Sequence, residues 1–393
     1  MSGEYWLISA PGEKTCQETF DRMDRLTAVE NRLSENYKFN LPDLKVGTLD
    51  QLVGLSDDLQ KLDGFAESVT KKLVAYLAET LEDRRDILME NLIIGSKDMV
   101  TYITKFQWEF AKYPVKQTLR TISEMISKQV SQIDADFKVK ASAYNNLKNT
   151  LASLERKATG NLMTKDLSDI VRKDHFVLNS EYLTTLLVVV PRAFYKDWET
   201  KYEGLTAMIV PRSSNLISED QDNGLFTVTL FKKVVDEYKA KCRENKFMVR
   251  DFVYDEEVLK MGKNERDKLA AEKQKQFGYV VKWLKTNFGE LFAAWIHVKA
   301  LRVFVESVLR YGLPVNFQAM LVHPLKRNQH KRLKEVLNQL YAHLDAASAK
   351  GDIGSEEIPG LMGFSQDYRP YVFFKINIDM MEGSGPGGRG GPH

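Results

Sequence analysis

The first residues to ask about chemistry are those of the string APGEKT at positions 10–15, where glycine, lysine and threonine stand in the order of a phosphate loop. Such a loop needs glycine directly before lysine and another glycine five positions earlier, so that backbone N–H groups can cradle phosphate. Here Glu13 intervenes and Leu7 holds the upstream place. A carboxylate there repels phosphate, and no nucleotide site is expected. Gly383, Gly385 and Gly388 match the spacing of a dinucleotide loop. That fingerprint needs a strand before it and a helix after it, and the Gly-rich surroundings promise neither. The histidines at 175, 297, 323, 330, 343 and 393 form no HExxH pair and none lies at close spacing with a cysteine, so no metal site is read. His297, just after Trp295 and Ile296, reads as a packed helix residue. No GxSxG occurs, and Cys16 and Cys242 are far apart with no CxxC spacing. Two reduced thiols in a cytosolic setting are expected, with a single disulfide as the alternative. No catalytic, cofactor-binding or metal-binding residue is assigned.

Two charged runs remain as candidates for binding. HPLKRNQHKRLK at 323–334 gathers Lys326, Arg327, Lys331, Arg332 and Lys334. It suits an acidic partner, actin or anionic lipid, or else it is a solvated helix start. It lacks the interleaved aromatics of a single-strand nucleic-acid platform. The acidic SEDQD at 218–222, with Glu219 and Asp220, follows VPRSS at 210–214, with Arg212, Ser213 and Ser214. This reads as an exposed loop, a place where interactions are often carried, or as a plain connection.

Composition narrows the classes. The 393 residues exceed what one core usually holds, since single cores stop growing near about 250–300 residues. Lys plus Arg (56) nearly balances Asp plus Glu (54), which leaves no whole-chain footprint for nucleic acid. The N-terminal MSGEYWLISAPGEKT has no basic n-region, so no secretory signal is read. No apolar run approaches the 18 or so residues of a spanning helix.

The elements that must position these residues follow from periodicity. YWLISA at 5–10 reads as a strand, and so does VTYITKFQWEFAKY at 100–113, by alternation and β propensity. An amphipathic helix follows Asp57 and Asp58, through Phe65, Val69, Leu73, Leu77 and on to Ile87. Ile126, Val130, Ile133, Phe137, Tyr144, Leu147, Leu151 and Leu154 keep a heptad seam that only Lys140 breaks. One helix over about 116–158 would be about 65 Å long; two helices with an unmarked break are the alternative. A second long helical stretch covers 256–310, polar in its first part and apolar in its second, with Gly262 and Gly278 as candidate kinks. Between these lie strand patterns at 184–191, 208–210, 225–230 and 247–254, and helical ones at 161–173 and 232–243. Strands at 315–322 and 371–378 and a helix over 331–347 close the chain.

Strands at both ends need partners, because an isolated hairpin is marginal in water. The simplest closure is an α+β, mainly helical dumbbell. A foot is built from 1–115 and 286–380, an antiparallel two-helix neck from 116–158 and 256–285, and an inserted α/β head from 159–255. A flexible tail occupies 381–393.

Long stretches then carry a resemblance. WLISAPGEKT at 6–15, PDLKVGTLDQLVGLSDDLQKLD at 42–63, EYLTTLLVVVP at 181–191, VPRSSNLISEDQD at 210–222 and AAWIHVKALRVFVESVLRYGLPVNFQAML at 293–321 resemble the C subunit of the eukaryotic vacuolar-type proton ATPase (V-ATPase). So do SAYNNLK at 142–148 and ENKFMVRDF at 244–252. Departures fall at 192–196, 260–268, 323–330 and in the tail. The resemblance implies a non-catalytic stator component of head–neck–foot shape. It implies bridging of the E–G stalks and the membrane a-subunit, a part in reversible release of the catalytic sector, and in some members actin binding. It places the chain at the cytosolic face of acidifying membranes, without spanning them and without a cofactor.

Overall fold

The computed structural model describes residues 3–82, 84–344 and 369–381. The chain begins with β1 (Glu4–Pro11), α1 (Cys16–Asp24), β2 (Ser34–Lys38), α2 (Leu49–Thr80), α3 (Arg85–Asn91), β3 (Ile93–Ile94), β4 (Lys97–Asp98) and α4 (Met99–Thr104). It continues through α5 (Leu119–Thr159), β5 (Leu183–Pro191), α6 (Tyr195–Lys201), β6 (Leu216–Glu219), β7 (Asn223–Phe231), α7 (Val235–Glu244) and β8 (Met248–Arg250). It ends with α8 (Glu256–Tyr311), β9 (Phe317–Pro324), α9 (His330–Leu340) and β10 (Val372–Asn377). The fold mixes helix and sheet in two compact units, Met1–Lys140 with Tyr279–His393, and Ala141–Gly278. Both divisions fall inside helices, α5 and α8.

The first unit is built on an antiparallel sheet of order β10-β1-β9-β2, so strands from the two ends of the chain do pair, with Tyr5 opposite Ile376. Side chains alternate across a strand, and β1 uses both faces. Trp6, Ile8 and Ala10 join Met320 and Val322 in a core closed by Met23 of α1 and Leu333 and Leu337 of α9. Ser9, on the opposite face, meets α8: its hydroxyl bonds Ser307 Oγ at 2.9 Å, and its carbonyl accepts from Tyr311 Oη at 2.7 Å. From Leu291 to Val308 nearly every α8 residue is buried; a helix apolar all round must lie inside. The polar first part of α8 is exposed along most of its length. Gly262 and Gly278 lie inside the helix and do not end it.

α5 forms as one uninterrupted helix, and its seam residues are the buried or half-buried ones. The interruption at Lys140 has a reason: its ammonium stands 5.7 Å from the Trp283 ring centroid.

Several expectations are corrected. Residues 100–113 are not a strand. Asp98 caps α4, its carboxylate accepting from the Thr101 N–H at 2.8 Å and the Thr101 hydroxyl at 2.6 Å, and the chain then turns irregularly. The alternating aromatics serve a cage instead: Phe106, Trp108 and Tyr113 surround His297, with ring centroids at 5.1, 4.8 and 4.8 Å. His297 Nε2 accepts the Glu109 N–H at 3.0 Å, so Nδ1 carries the proton and donates it to Ala293 O at 2.7 Å. The histidine is a packed residue, as its surroundings in sequence imply.

The second unit holds an antiparallel sheet of order β6-β7-β5-β8. Both faces are covered, which is why β5 runs apolar from Leu186 to Val190 and why even Thr227 and Thr229 of β7 are buried. Val188, Val190, Phe226, Val228 and Leu230 pack on Trp198, Tyr238 and Cys242; Leu187, Val189 and Leu225 pack on Leu162, Leu167 and Val171. The segment 161–173 that supplies this second cover is not helical. Asn161 Oδ1 takes the Thr164 N–H at 3.1 Å and Asp166 Oδ1 that of Ser168 at 3.0 Å, and such local bonds compete with helix. The strand patterns at 208–210 and 247–254 shrink to one bridge, Ile209 with Leu230, and to the short β8. The expected helix over 331–347 ends as α9 at Leu340; residues 345–347 and the tail from 382 lie outside the described residues. Cys16 and Cys242 are free thiols.

Candidate interaction surfaces

In the second unit the structure spreads the sequence candidates around β6 and its turns, and most of their polar atoms are already committed. Ser214 Oγ accepts the indole N–H of the buried Trp198 at 2.8 Å, and Ser213 Oγ accepts the Thr229 N–H at 3.1 Å. Both hydroxyls hang the turn on the core. Glu219 pairs with Arg192 at 3.1 Å. Asp220 closes the β6–β7 turn rather than offering a loop. Its carboxylate takes N–H groups from Leu162 at 2.8 Å, Asp222 at 2.9 Å and Asn223 at 2.6 Å. Desolvation works against its charge, but these backbone bonds outweigh it and hold the carboxyl below the usual range. Arg212 is the exception. It is exposed in a left-handed turn (φ 58°), and its backbone N–H reaches Glu203 at 2.8 Å.

An apolar patch that sequence reasoning missed lies on the same unit. Tyr182, Met208 and Phe231 are 64%, 54% and 39% exposed. Backbone bonds bring them together: Phe231 N donates to Met208 O at 3.1 Å, and Lys232 N to Tyr182 O at 2.8 Å. Lys232 and Lys233 follow at the rim, both exposed. The available signal was phase. Phe231 extends the buried run of β7 by one residue past its last covered position, Leu230.

In the first unit the basic run does form one surface. Lys326 starts a short 3₁₀ turn, Arg327–Gln329, that leads directly into α9. Leu333, Leu337 and Leu340 turn inward at helical spacing, which leaves Lys326, Arg327, Lys331 and Arg332 exposed at the amino end. Arg332 donates to Asn31 Oδ1 at 3.1 Å, and Lys334 stands 5.9 Å from the Trp6 ring centroid. Trp6 also meets the His330 ring at 5.3 Å, and burial lowers the imidazole pKa against the pull of Glu4. Cations at a helix amino end oppose its dipole, by about 0.3–1 kcal/mol each. Stability alone does not select this arrangement.

A cavity of about 700 Å³ also belongs to the first unit. Three of its charged lining residues pair with one another: Lys112 Nζ reaches Glu290 at 2.7 Å and Glu109 at 3.0 Å, and Gln129 donates to Glu290 at 3.1 Å. Desolvation lowers the Lys112 pKa, yet bonds to the two glutamates raise it overall. Among the described residues no group of three or more His, Cys, Asp or Glu could hold a metal ion. No described helix is long and apolar enough to cross a membrane.

Comparison with known proteins supplies the remaining step. The sequence model for the V-ATPase C subunit matches residues 5–372. The V-type proton ATPase C 1-A subunit of Danio rerio is 61% identical over 380 residues, covering 96% of this chain and 99% of that protein. The V-type proton ATPase C subunit of Manduca sexta is 62% identical over 383 residues, with 96% and 99% covered, and that of Caenorhabditis elegans 61% over 382 residues, with 97% and 98% covered. Among solved structures, the cytoplasmic N-terminal domain of the V-ATPase I-subunit, a homolog of the a-subunit, aligns at 10% identity over 86% of this chain and 97% of that one, with a TM-score of 0.30. That likeness is too slight to bear on the fold. Identity of this depth along nearly the whole length leaves one conclusion: the chain belongs to the C-subunit family of the V-ATPases.

Proposed function

We propose that this chain is a non-catalytic stator component of the proton pump, bridging E–G stalks and the membrane a-subunit and taking part in reversible release of the catalytic sector. The observation that carries the reading is family identity of about 60% over 96% of the chain. On this reading residues 159–255 act as the head, 1–115 and 286–380 as the foot, and 116–158 and 256–285 as the neck. The head docks one stalk through Tyr182, Met208 and Phe231 with Arg212 at hand; the foot serves the second stalk and the a-subunit. The protein works at the cytosolic face of acidifying membranes. Several modest contacts suffice, because each holds the others at high local concentration, and losing one end then releases the whole protein. Affinity purification of the tagged chain from cytosol and membranes tests this. The pump's E-, G- and a-subunits are expected to co-elute, and Tyr182→Asp with Phe231→Asp is expected to reduce recovery of all three. Retention of all three by that folded variant overturns the head assignment.

The dipole-opposed basic surface favours a second reading, an adaptor that docks actin or another acidic surface at Lys326, Arg327, Lys331 and Arg332. Charge reversal there that abolishes actin or lipid binding while sparing pump assembly selects it.

A further inference from the structure

A second cavity of the first unit, about 570 Å³, is a groove with an apolar floor and an acidic mouth. Its floor is laid by Leu88, Leu92, Met99 and Met380, all buried. Met89 and Val100 form the rim at 59% and 43% exposed, and Met381 lies beside them. Four of the lining residues are therefore methionines. Their unbranched, polarizable side chains re-pack around varied apolar shapes. Among the described residues the charged members of the lining are Asp98 and Asp379, both exposed, and no lysine or arginine joins them. Each carboxylate is held in place, Asp98 by Thr101 and Asp379 by the Met381 N–H at 3.3 Å. Residues 382–393, EGSGPGGRGGPH, follow directly but contain no apolar side chain larger than proline.

We infer that this groove receives a basic amphipathic helix of a partner protein, with large apolar side chains one turn apart entering between α3, α4 and the segment after β10, and lysine or arginine at the two aspartates. Helices dock in this way through their i, i+3, i+4 and i+7 positions. Charge complementarity selects a basic flank over an acidic one and steers the encounter. The inference does not depend on the pump reading, and its test uses no pump component.

The full chain labelled at its methionine methyls gives 13 signals to follow. The probe is a synthetic helix of about 18 residues, five turns at 3.6 residues each, with leucine on one face and lysine on the other; the control replaces its lysines with glutamate. The lysine peptide is expected to shift the signals of Met89, Met99, Met380 and Met381 saturably, leaving Met208, Met248 and Met261 in place. The glutamate peptide is expected to bind about tenfold more weakly or less. Met89→Lys, at the exposed rim, and Asp98→Asn with Asp379→Asn, which keep an acceptor oxygen for the Thr101 and Met381 N–H groups, are each expected to weaken the lysine peptide by about tenfold. Equal binding of both peptides, shifts centred on other methionines, or no shift overturns the inference. So does a concentration-dependent dimer broken by Met89→Lys, which makes a second copy the occupant. A change in the same four signals on deleting 382–393 makes the chain's own tail the occupant, and an unchanged groove that shifts only with anionic vesicles assigns it to lipid; both overturn it too.

Discussion

Asp63 of α2 accepts the indole N–H of Trp295 of α8 at 2.8 Å, and both residues are closed off from solvent. The other oxygen of the same carboxylate takes Lys299 Nζ at 2.9 Å and the guanidinium of Arg302. Lys299 donates in turn to the carbonyl of Lys375 at 2.9 Å, and Arg302 lies 4.3 Å from the Phe374 ring centroid. One carboxylate therefore ties α2, α8 and β10 together. It is the sole anion among these partners for two buried or nearly buried cations.

Removing that anion is expected to be severe. Asp63→Ala leaves Lys299 and Arg302 without their counter-charge inside the protein, a change that costs about 3–5 kcal/mol. Replacing the whole cluster, Asp63→Leu with Lys299→Met and Arg302→Met, is expected to cost much less, because no charge is stranded. Urea unfolding of the two variants checks the contrast. Equal losses would mean that the geometry of the residues, rather than their charge, holds the three elements.

The His297 cage predicts acid sensitivity with a definite sign. Burial is the main cause that pushes the imidazole pKa down to about 4; the Ala293 carbonyl and Glu109 pull it up, and Lys112 lowers it. An unfolded histidine takes its proton near 6.5, so between these values the unfolded chain binds more protons than the folded one. The stabilisation is complete above about pH 6.5 and is lost as pH falls toward 4, on the order of 3 kcal/mol in all. His297→Gln removes the titrating group. The stability of the two proteins is therefore expected to converge as the buffer is taken from about pH 7 to about pH 4.5, and parallel pH profiles would contradict the assignment.

Much of this architecture was legible in the residues, and the failures have physical causes. Pairing of the chain ends followed from YWLISA and YVFFKINI each needing a neighbour, and β1 with β10 supplies it. The α5 seam was legible because its period persists from Ile126 to Leu154. Alternation at 100–113 misled because an aromatic cage around one histidine uses the same residue types as a strand. Ser213 and Ser214 looked like surface groups, but their hydroxyl partners, Trp198 and Thr229, come from elsewhere in the chain. Nothing near Asp63 in sequence announced the cations more than 230 positions away. Groups that meet only in the fold are invisible to local pattern.

Gly262 and Gly278 offer a test of helix regularity. A methyl group added at either position meets no heavy atom within 4 Å, and both lie inside α8. Glycine in a helix interior is less favourable than alanine by about 0.8–1 kcal/mol. Gly262→Ala and Gly278→Ala are each expected to raise stability by about that amount, read from helical circular dichroism during denaturation. Destabilisation by either would mean that α8 bends at that position in solution.

The basic end of α9 separates stability from binding. Lys331 lies in the first turn, where the helix dipole disfavours a cation, and no acidic residue offsets it there. Its side chain is exposed, and the buried face of the helix is carried by Leu333, Leu337 and Leu340. Lys331→Glu therefore places an anion where the dipole favours one and is expected to stabilise the fold by about 0.3–1 kcal/mol. The same change reverses one charge of a surface that suits acidic partners. Retention on an acidic resin, and on F-actin if actin is a partner, is expected to fall most at low salt, where exposed charges are least screened. A variant that is both more stable and weaker in binding identifies a surface kept for docking. Gain in stability with unchanged retention at low salt would return these lysines and arginines to ordinary solvated positions.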